Sequence, residues 1–185
     1  MSAQNGTNGR RPRIATVWLA GCSGCHMSFL DMDERLLELG ERADLVYSPL
    51  VDAKDYPERV DVCLVEGAVS SDEDMAKIKA IRERTRTLVS FGDCAVTSNV
   101  PGMRNPIGAL PLLERAYLEN ATDNPQLPSQ VVPKLLPTAL PVHRAVKVDV
   151  FLPGCPPSAD LIYHTVNELL EGRMPDTAHI ARFGA

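Results

Sequence analysis

Four of the five cysteines in this 185-residue chain lie just beyond apolar runs that are typical of β-strands. Cys22 and Cys25 form a Cys-x-x-Cys pair after the first run, whereas Cys94 and Cys155 are single cysteines after later ones. Four thiolates are the ligand set of a 4Fe-4S cluster, and a Cys-x-x-Cys pair lets two sulfurs bind neighbouring irons. The types and spacing of these residues therefore predict one metal centre that uses all four cysteines.

Two other chemistries use cysteines at similar spacing. Structural zinc sites usually combine two Cys-x-x-Cys pairs in small modules that depend on the metal, whereas this chain joins one pair to two distant cysteines. A redox-active dithiol would need only Cys22 and Cys25, and it would leave Cys94 and Cys155 without a role. The ligand pattern favours the iron-sulfur cluster over both.

Cys63 and His26 are interpreted differently from these four residues. Cys63 lies inside the apolar run 60–65, so we interpret it as a small buried core residue and exclude it from the site. His26 follows Cys25 directly and could donate a hydrogen bond near the cluster. The alternative for His26 is an exposed side chain with no role.

The segments that must position these cysteines alternate between strand-like and helix-like patterns. Strands are predicted at residues 14–19, 45–47, 60–65, 87–91 and 146–152, and helices at residues 25–40, 71–86, 107–119 and 158–172. Such alternation predicts a three-layer α/β domain with a parallel sheet of flavodoxin-like order. Because parallel strands end at one edge of a sheet, the four cysteines should converge there from three loops. A helix that starts near Cys25 should also aim its N–H groups at the sulfurs.

A proline-rich insertion interrupts this alternation at residues 101–141. It holds eight of the 15 prolines of the chain, which are Pro101, Pro106, Pro111, Pro125, Pro128, Pro133, Pro137 and Pro141. Because proline cannot donate a ladder hydrogen bond, the insertion is predicted to be irregular and without regular strand pairing. It is either a partner-docking surface or a plain surface excursion. We predict an extended or disordered tail at residues 1–12 and one iron-sulfur domain at residues 13–185.

Composition excludes several classes of partner. The net charge of −5, with no basic stripe, argues against a nucleic-acid-binding protein. No apolar run approaches the roughly 20 residues that span a bilayer, so membrane insertion is not expected. Arg10 and Arg11 resemble a twin-arginine export signal, but Cys22 follows too soon for a signal's apolar region. We therefore expect a cytoplasmic protein in a reducing compartment, where clustered cysteines favour metal binding.

Four stretches of the sequence together resemble a known family. They are residues 18–30 (WLAGCSGCHMSFL), 65–67 (VEG), 92–95 (GDCA) and 153–157 (PGCPP). The chain resembles the small subunits of nickel-iron hydrogenases, in particular those of cytoplasmic, bidirectional, NAD-reducing enzymes. The related cluster-bearing subunit of respiratory complex I is also similar, but it has adjacent cysteines where this chain has Cys22-x-x-Cys25.

The resemblance implies a role for each motif. Cys22, Cys25, Cys94 and Cys155 would bind the proximal 4Fe-4S cluster, and Glu66 would lie in the shell of residues around it. The nickel-iron centre would belong to a separate large subunit, so this chain would not split dihydrogen alone. Electrons would leave to iron-sulfur and flavin-containing NAD-reducing subunits, with FMN bound by a partner. The alternatives are a complex-I-like iron-sulfur subunit and a flavodoxin-like FMN-binding protein.

Overall fold

A parallel sheet of five strands lies at the centre of the computed structural model, which describes residues 10–177. The strands in this part of the chain are β1 (Arg13–Trp18), β2 (Asp44–Tyr47), β3 (Val60–Glu66), β4 (Val69–Ser71), β5 (Thr85–Phe91), β6 (Leu135–Leu140) and β7 (Val150–Leu152). The central sheet has the order β2-β1-β3-β5-β7, and all its strands are parallel. This order confirms the predicted flavodoxin-like α/β fold.

Helices cover both faces of this sheet. They are α1 (Gly24–Leu30), α2 (Arg35–Arg42), α3 (Asp72–Arg84), α4 (Asp93–Thr97), α5 (Asn99–Gly102), α6 (Ala109–Glu114) and α7 (Ala159–Leu170), with a π-helical turn at Arg115–Glu119 and a 3-10 turn at Val142–Arg144. The capping box predicted at Ser71 and Asp74 is present at the start of α3. Within the described residues, no helix is both long and apolar enough to cross a membrane.

Two apolar clusters pack on opposite faces of the sheet because successive strand side chains alternate in direction. Residues of α1, α2 and α7 pack with Phe91 and Leu152 on one face. Ile78 and Ile81 of α3 pack with Cys63 on the other. Cys63 is fully buried at the centre of β3, as its apolar surroundings predict.

The helix predicted at residues 25–40 is interrupted. Helix α1 ends at Leu30, and α2 begins at Arg35. Between them Asp33 has a φ of +50°, a left-handed conformation that cannot continue a right-handed helix. Aspartate adopts this conformation more readily than most residues because its short side chain hydrogen-bonds locally. The apolar positions continue across the break, so their spacing did not reveal it.

Strand β7 is shorter than the predicted strand at residues 146–152. It begins at Val150, because the Asp149 carboxylate takes the Leu88 N–H, at 2.9 Å, at the start of the β5-β7 pairing. Val146 and Val148 are partly buried and pack against the core from outside the sheet. Their apolar character thus reflects packing and not strand pairing.

The prediction that the proline-rich insertion lacks regular pairing is wrong. Strand β6, which contains Pro137, pairs antiparallel with β4, and the register is irregular between Val69 and Ser71. Both strands of a two-stranded sheet are edge strands, where a missing N–H is tolerated. The helix predicted at residues 107–119 is also divided between α6 and the π-helical turn at Arg115–Glu119.

The predicted N-terminal tail falls partly within the described residues. Arg10 forms an ion pair with Asp61 at 3.0 Å, and Arg11 forms one with Asp44 at 3.2 Å. The Pro12 carbonyl accepts a hydrogen bond from the Asp44 N–H. Residues 10–12 therefore contact the sheet, while residues 1–9 and 178–185 lie outside the described part of the chain.

Candidate metal centre at the carboxyl edge of the sheet

The register of the central sheet aligns the strand ends that precede the cysteines. Trp18 at the end of β1 pairs with Glu66 at the end of β3, Glu66 pairs with Phe91 at the end of β5, and Phe91 pairs with Leu152 at the end of β7. Because these four residues lie level across the sheet, the loops that follow them begin at one edge. That edge carries the cysteines.

The four cysteines predicted to act together line one small cavity at this edge, and Glu66, Asp93 and Gly154 complete its walls. Cys25 and Cys94 are buried, whereas Cys22 and Cys155 are exposed. Within residues 10–177, no three His, Cys, Asp or Glu side chains are close enough together to hold a single metal ion. The thiols therefore border a cavity and do not converge on one point.

Glu66 holds the loop of the Cys-x-x-Cys pair against the end of β3. Its carboxylate accepts hydrogen bonds from the Cys25 N–H, at 3.3 Å, and from the His26 N–H, at 3.0 Å. These N–H groups begin helix α1, whose first-turn donors have no partner inside the helix. The expectation that they point at the sulfurs is therefore wrong, because Glu66 occupies them.

His26 is buried, so its interpretation as an exposed side chain is wrong. Its Nδ1 bonds to the Glu66 carboxylate, and its Nε2 lies 3.0 Å from the Thr16 hydroxyl. Thr16 in turn contacts the Ser48 hydroxyl at 2.9 Å. The ring stacks on Trp18, with 5.4 Å between ring centroids. His26 thus fixes Glu66 from behind and packs over the end of β1.

A pair of hydrogen bonds joins the loop that carries Cys94 to the loop that carries Cys155. The Asp93 N–H donates to the Gly154 carbonyl at 2.9 Å, and the Gly154 N–H donates to the Asp93 carboxylate at 2.7 Å. Ser28 of α1 also donates its hydroxyl to the Pro157 carbonyl at 2.5 Å. All three cysteine-bearing loops are therefore linked to one another or to the sheet by buried polar contacts.

Burial makes the cavity unfavourable for negative charge in the absence of a cation. It raises the pKa of the Cys25 thiol well above its usual value, and the Glu66 carboxylate and the neighbouring thiols raise it further. Burial also raises the pKa of Cys94, although a hydrogen bond from the Val100 N–H partly opposes this. Thiolates here would need cationic metal to offset their desolvation and mutual repulsion, as in iron-sulfur sites. The donor set therefore fits a thiolate-bound cluster.

Sequence reasoning missed several polar residues at this edge. Asp93, which precedes Cys94 directly, could have been suspected from its position in a Gly-Asp-Cys loop. Thr16, Ser48 and Asn99 gave no such signal, because they are separated from the cysteines by strands or turns. Their proximity follows from the fold alone.

Comparison with known proteins places the chain in a family. The family model described as NADH ubiquinone oxidoreductase, 20 Kd subunit, matches residues 22–169. The chain belongs to this family. Within it, the NAD-reducing hydrogenase HoxS subunit delta from Cupriavidus necator is 43% identical over 166 residues, which cover 87% of this chain and 79% of that subunit.

Other members of the family are similar over the same part of the chain. An F420-non-reducing hydrogenase vhu subunit from Methanocaldococcus jannaschii is 36% identical, but this chain spans only 57% of its length. A crystal structure of an NAD+-reducing NiFe hydrogenase in the H2-reduced state contains a chain with 40% identity and a TM-score of 0.86. The alignment covers 90% of this chain and 94% of that one. The resemblance to hydrogenase small subunits that the four motifs indicate is confirmed.

Proposed function

We propose that Cys22, Cys25, Cys94 and Cys155 bind one 4Fe-4S cluster, through which the chain relays electrons as the small subunit of a hydrogenase. The observation that carries this proposal is the convergence of the four thiols on one cavity, from loops that follow three parallel strands. When bound, a cluster of this type supplies one-electron transfer.

The residues around the thiols have roles in holding the proposed ligands. Glu66 fixes the loop of Cys22 and Cys25 through the first N–H groups of α1, and His26 orients the Glu66 carboxylate. Asp93 ties the Cys94 loop to the Cys155 loop through Gly154. Such supporting contacts keep ligands in place and limit how far they move between redox states.

The assembly is proposed from the relatives. The Cupriavidus necator relative is part of an NAD-reducing hydrogenase, and the similar solved chain belongs to an NAD+-reducing NiFe hydrogenase. We infer that this chain binds a nickel-iron large subunit, which oxidises dihydrogen, and that the cluster proposed here is the proximal acceptor. Electrons would then pass to iron-sulfur and flavin-containing subunits that reduce NAD, in a cytoplasmic complex.

The cluster is tested by purifying the chain anaerobically, measuring iron and sulfide, and recording the EPR spectrum after reduction. We expect four irons and four sulfides per chain. Serine substitutions at Cys22, Cys25, Cys94 and Cys155 should each lower the iron content, and Cys63→Ser is the matched control that should leave it unchanged. Stoichiometric zinc without an EPR signal would end the iron-sulfur proposal.

The assembly requires a separate experiment. A tagged chain isolated anaerobically from its native host should co-elute with a nickel-containing subunit and should support hydrogen-dependent NAD reduction. Co-elution with quinone-reducing subunits and no nickel protein would instead favour the complex-I-like alternative.

A further inference from the structure

The turn between α4 and α5 lies beside the exposed rim of the cysteine cavity. Ser98, with a φ of +70°, ends α4 and redirects the chain. The next residue, Asn99, places its side-chain Nδ2 at 3.5 Å from the Cys155 Sγ. The Val100 N–H donates to the Cys94 thiol. Two successive residues therefore each supply a hydrogen-bond donor to a different proposed ligand.

We propose that Asn99 is a positioning residue that raises the reduction potential of the cluster through its hydrogen bond to Cys155. The inference rests on the proposed function, since it requires a cluster bound by Cys155. A donor that bonds to a ligand sulfur stabilises the more negative, reduced form of an iron-sulfur cluster. Asn99 is suited to this task because its amide bonds to sulfur without adding a charge.

The proline-rich insertion holds this turn in place. Asn105 forms two hydrogen bonds with the Ala139 backbone, accepting from its N–H at 2.7 Å and donating to its carbonyl at 2.9 Å. The buried Ser98 hydroxyl donates to the same carbonyl at 3.3 Å. Since Ala139 lies in β6, the β4-β6 pairing fixes the position from which Asn99 reaches Cys155. The insertion thereby acquires a role inside this chain.

The contacts of Asn99 separate tuning from folding. Among residues 10–177, the hydrogen bond to Cys155 is the one that the Asn99 side chain makes, and the side chain is exposed. Removing it opens no cavity and leaves no buried donor. Substitutions at Asn99 should therefore leave the fold and the iron content unchanged, while Asn105→Ala should disturb the turn and the potential together.

The test is an EPR-monitored redox titration of the protein isolated with its native subunits, comparing Asn99→Ala, Asn99→Ser and Asn99→Asp with the unchanged chain. Asn120→Ala, in the same insertion, is the control for removing an exposed asparagine amide. At a fixed ambient potential, Asn99→Ala should lower the ratio of reduced to oxidised cluster by about threefold to tenfold, a tenfold change being about 59 mV. Asn99→Ser, which keeps a donor, should fall between the two, and Asn99→Asp should have the lowest potential.

The outcomes distinguish this inference from the proposed function. A cluster that is present in every variant at one unchanged potential would overturn the role of Asn99 and leave the cluster proposal intact. An unchanged chain without iron or an EPR signal would refute the proposed function itself. If Asn99→Ala loses its iron, the order of potentials in Asn99→Ser and Asn99→Asp decides the question.

Discussion

The Gly92 backbone lies directly against the Cys25 thiol. A Cβ atom at position 92 would be 2.1 Å from the Cys25 Sγ, far closer than non-bonded atoms can approach. Gly92 also has a φ of +81°, which L-residues with a side chain rarely adopt. Glycine is therefore required here both by backbone conformation and by the position of a proposed ligand.

Gly92→Ala should displace Cys25 and lower the iron content of the purified chain. The left-handed backbone alone should cost about 1–2 kcal/mol of unfolding free energy, before the displacement of the thiol is added. Gly40→Ala is the matched control, since Gly40 lies in α2 with no atom within 4 Å of the added Cβ. That control should gain about 0.5–1 kcal/mol and keep its iron. Full iron occupancy in Gly92→Ala would contradict the close approach of these two residues.

Glu66→Ala should destabilise the fold strongly. It leaves two backbone N–H groups and the buried His26 ring without their acceptor, and removing one partner from such a buried pair costs about 3–5 kcal/mol. Urea unfolding of the metal-free chain measures this loss independently of any cluster. Glu83→Ala, at an exposed position of α3, should change stability by less than about 0.5 kcal/mol. Equal losses in the two variants would refute the structural role of Glu66.

Cys63 should resist alkylation in the folded chain. Burial raises the pKa of its thiol to about 12, although a hydrogen bond from Tyr56 and the charge of Arg82 lower it. Because the thiolate is the reactive form, iodoacetamide at pH 8 should label exposed Cys155 in the metal-free chain and leave Cys63 unlabelled. Mass spectrometry of peptides gives the labelling at each site. Unfolding in urea should make Cys63 reactive, and labelling without urea would contradict its burial.

Asp149 should contribute to stability at neutral pH and lose that contribution in acid. Burial raises its pKa, but hydrogen bonds from the Leu88 N–H and from Arg82 outweigh this and hold the pKa below its usual value. The contribution is therefore complete above the unfolded pKa, near pH 4, and is lost as the pH falls through the lower folded pKa. Asp149→Asn should be less stable than the unchanged chain at pH 7, and the difference should shrink below about pH 4.

Urea unfolding at several pH values measures this dependence. Asp123→Asn, at an exposed position of the insertion, is the control and should differ little from the unchanged chain at every pH. A stability difference for Asp149→Asn that stays constant down to pH 3 would argue against the depressed pKa.

Much of the fold could be predicted because its signals are local. Each strand of the central sheet is an apolar run, and Ser71 with Asp74 marks the start of α3 within four residues. The break at Asp33 was missed because the apolar spacing continues through it. Strand β6 was missed because its partner β4 lies more than 60 residues earlier, so only the folded chain brings them together.

The order of residues along the chain was enough to show that Cys22, Cys25, Cys94 and Cys155 follow strand-like runs, and parallel strands must end at one edge. What surrounds these thiols became visible only in the folded chain. Glu66 meets the first turn of α1 across 40 residues of sequence, and Asn99 meets Cys155 across 56. Such contacts depend on the sheet register and on the turn at Ser98, and no local pattern of residue types encodes either.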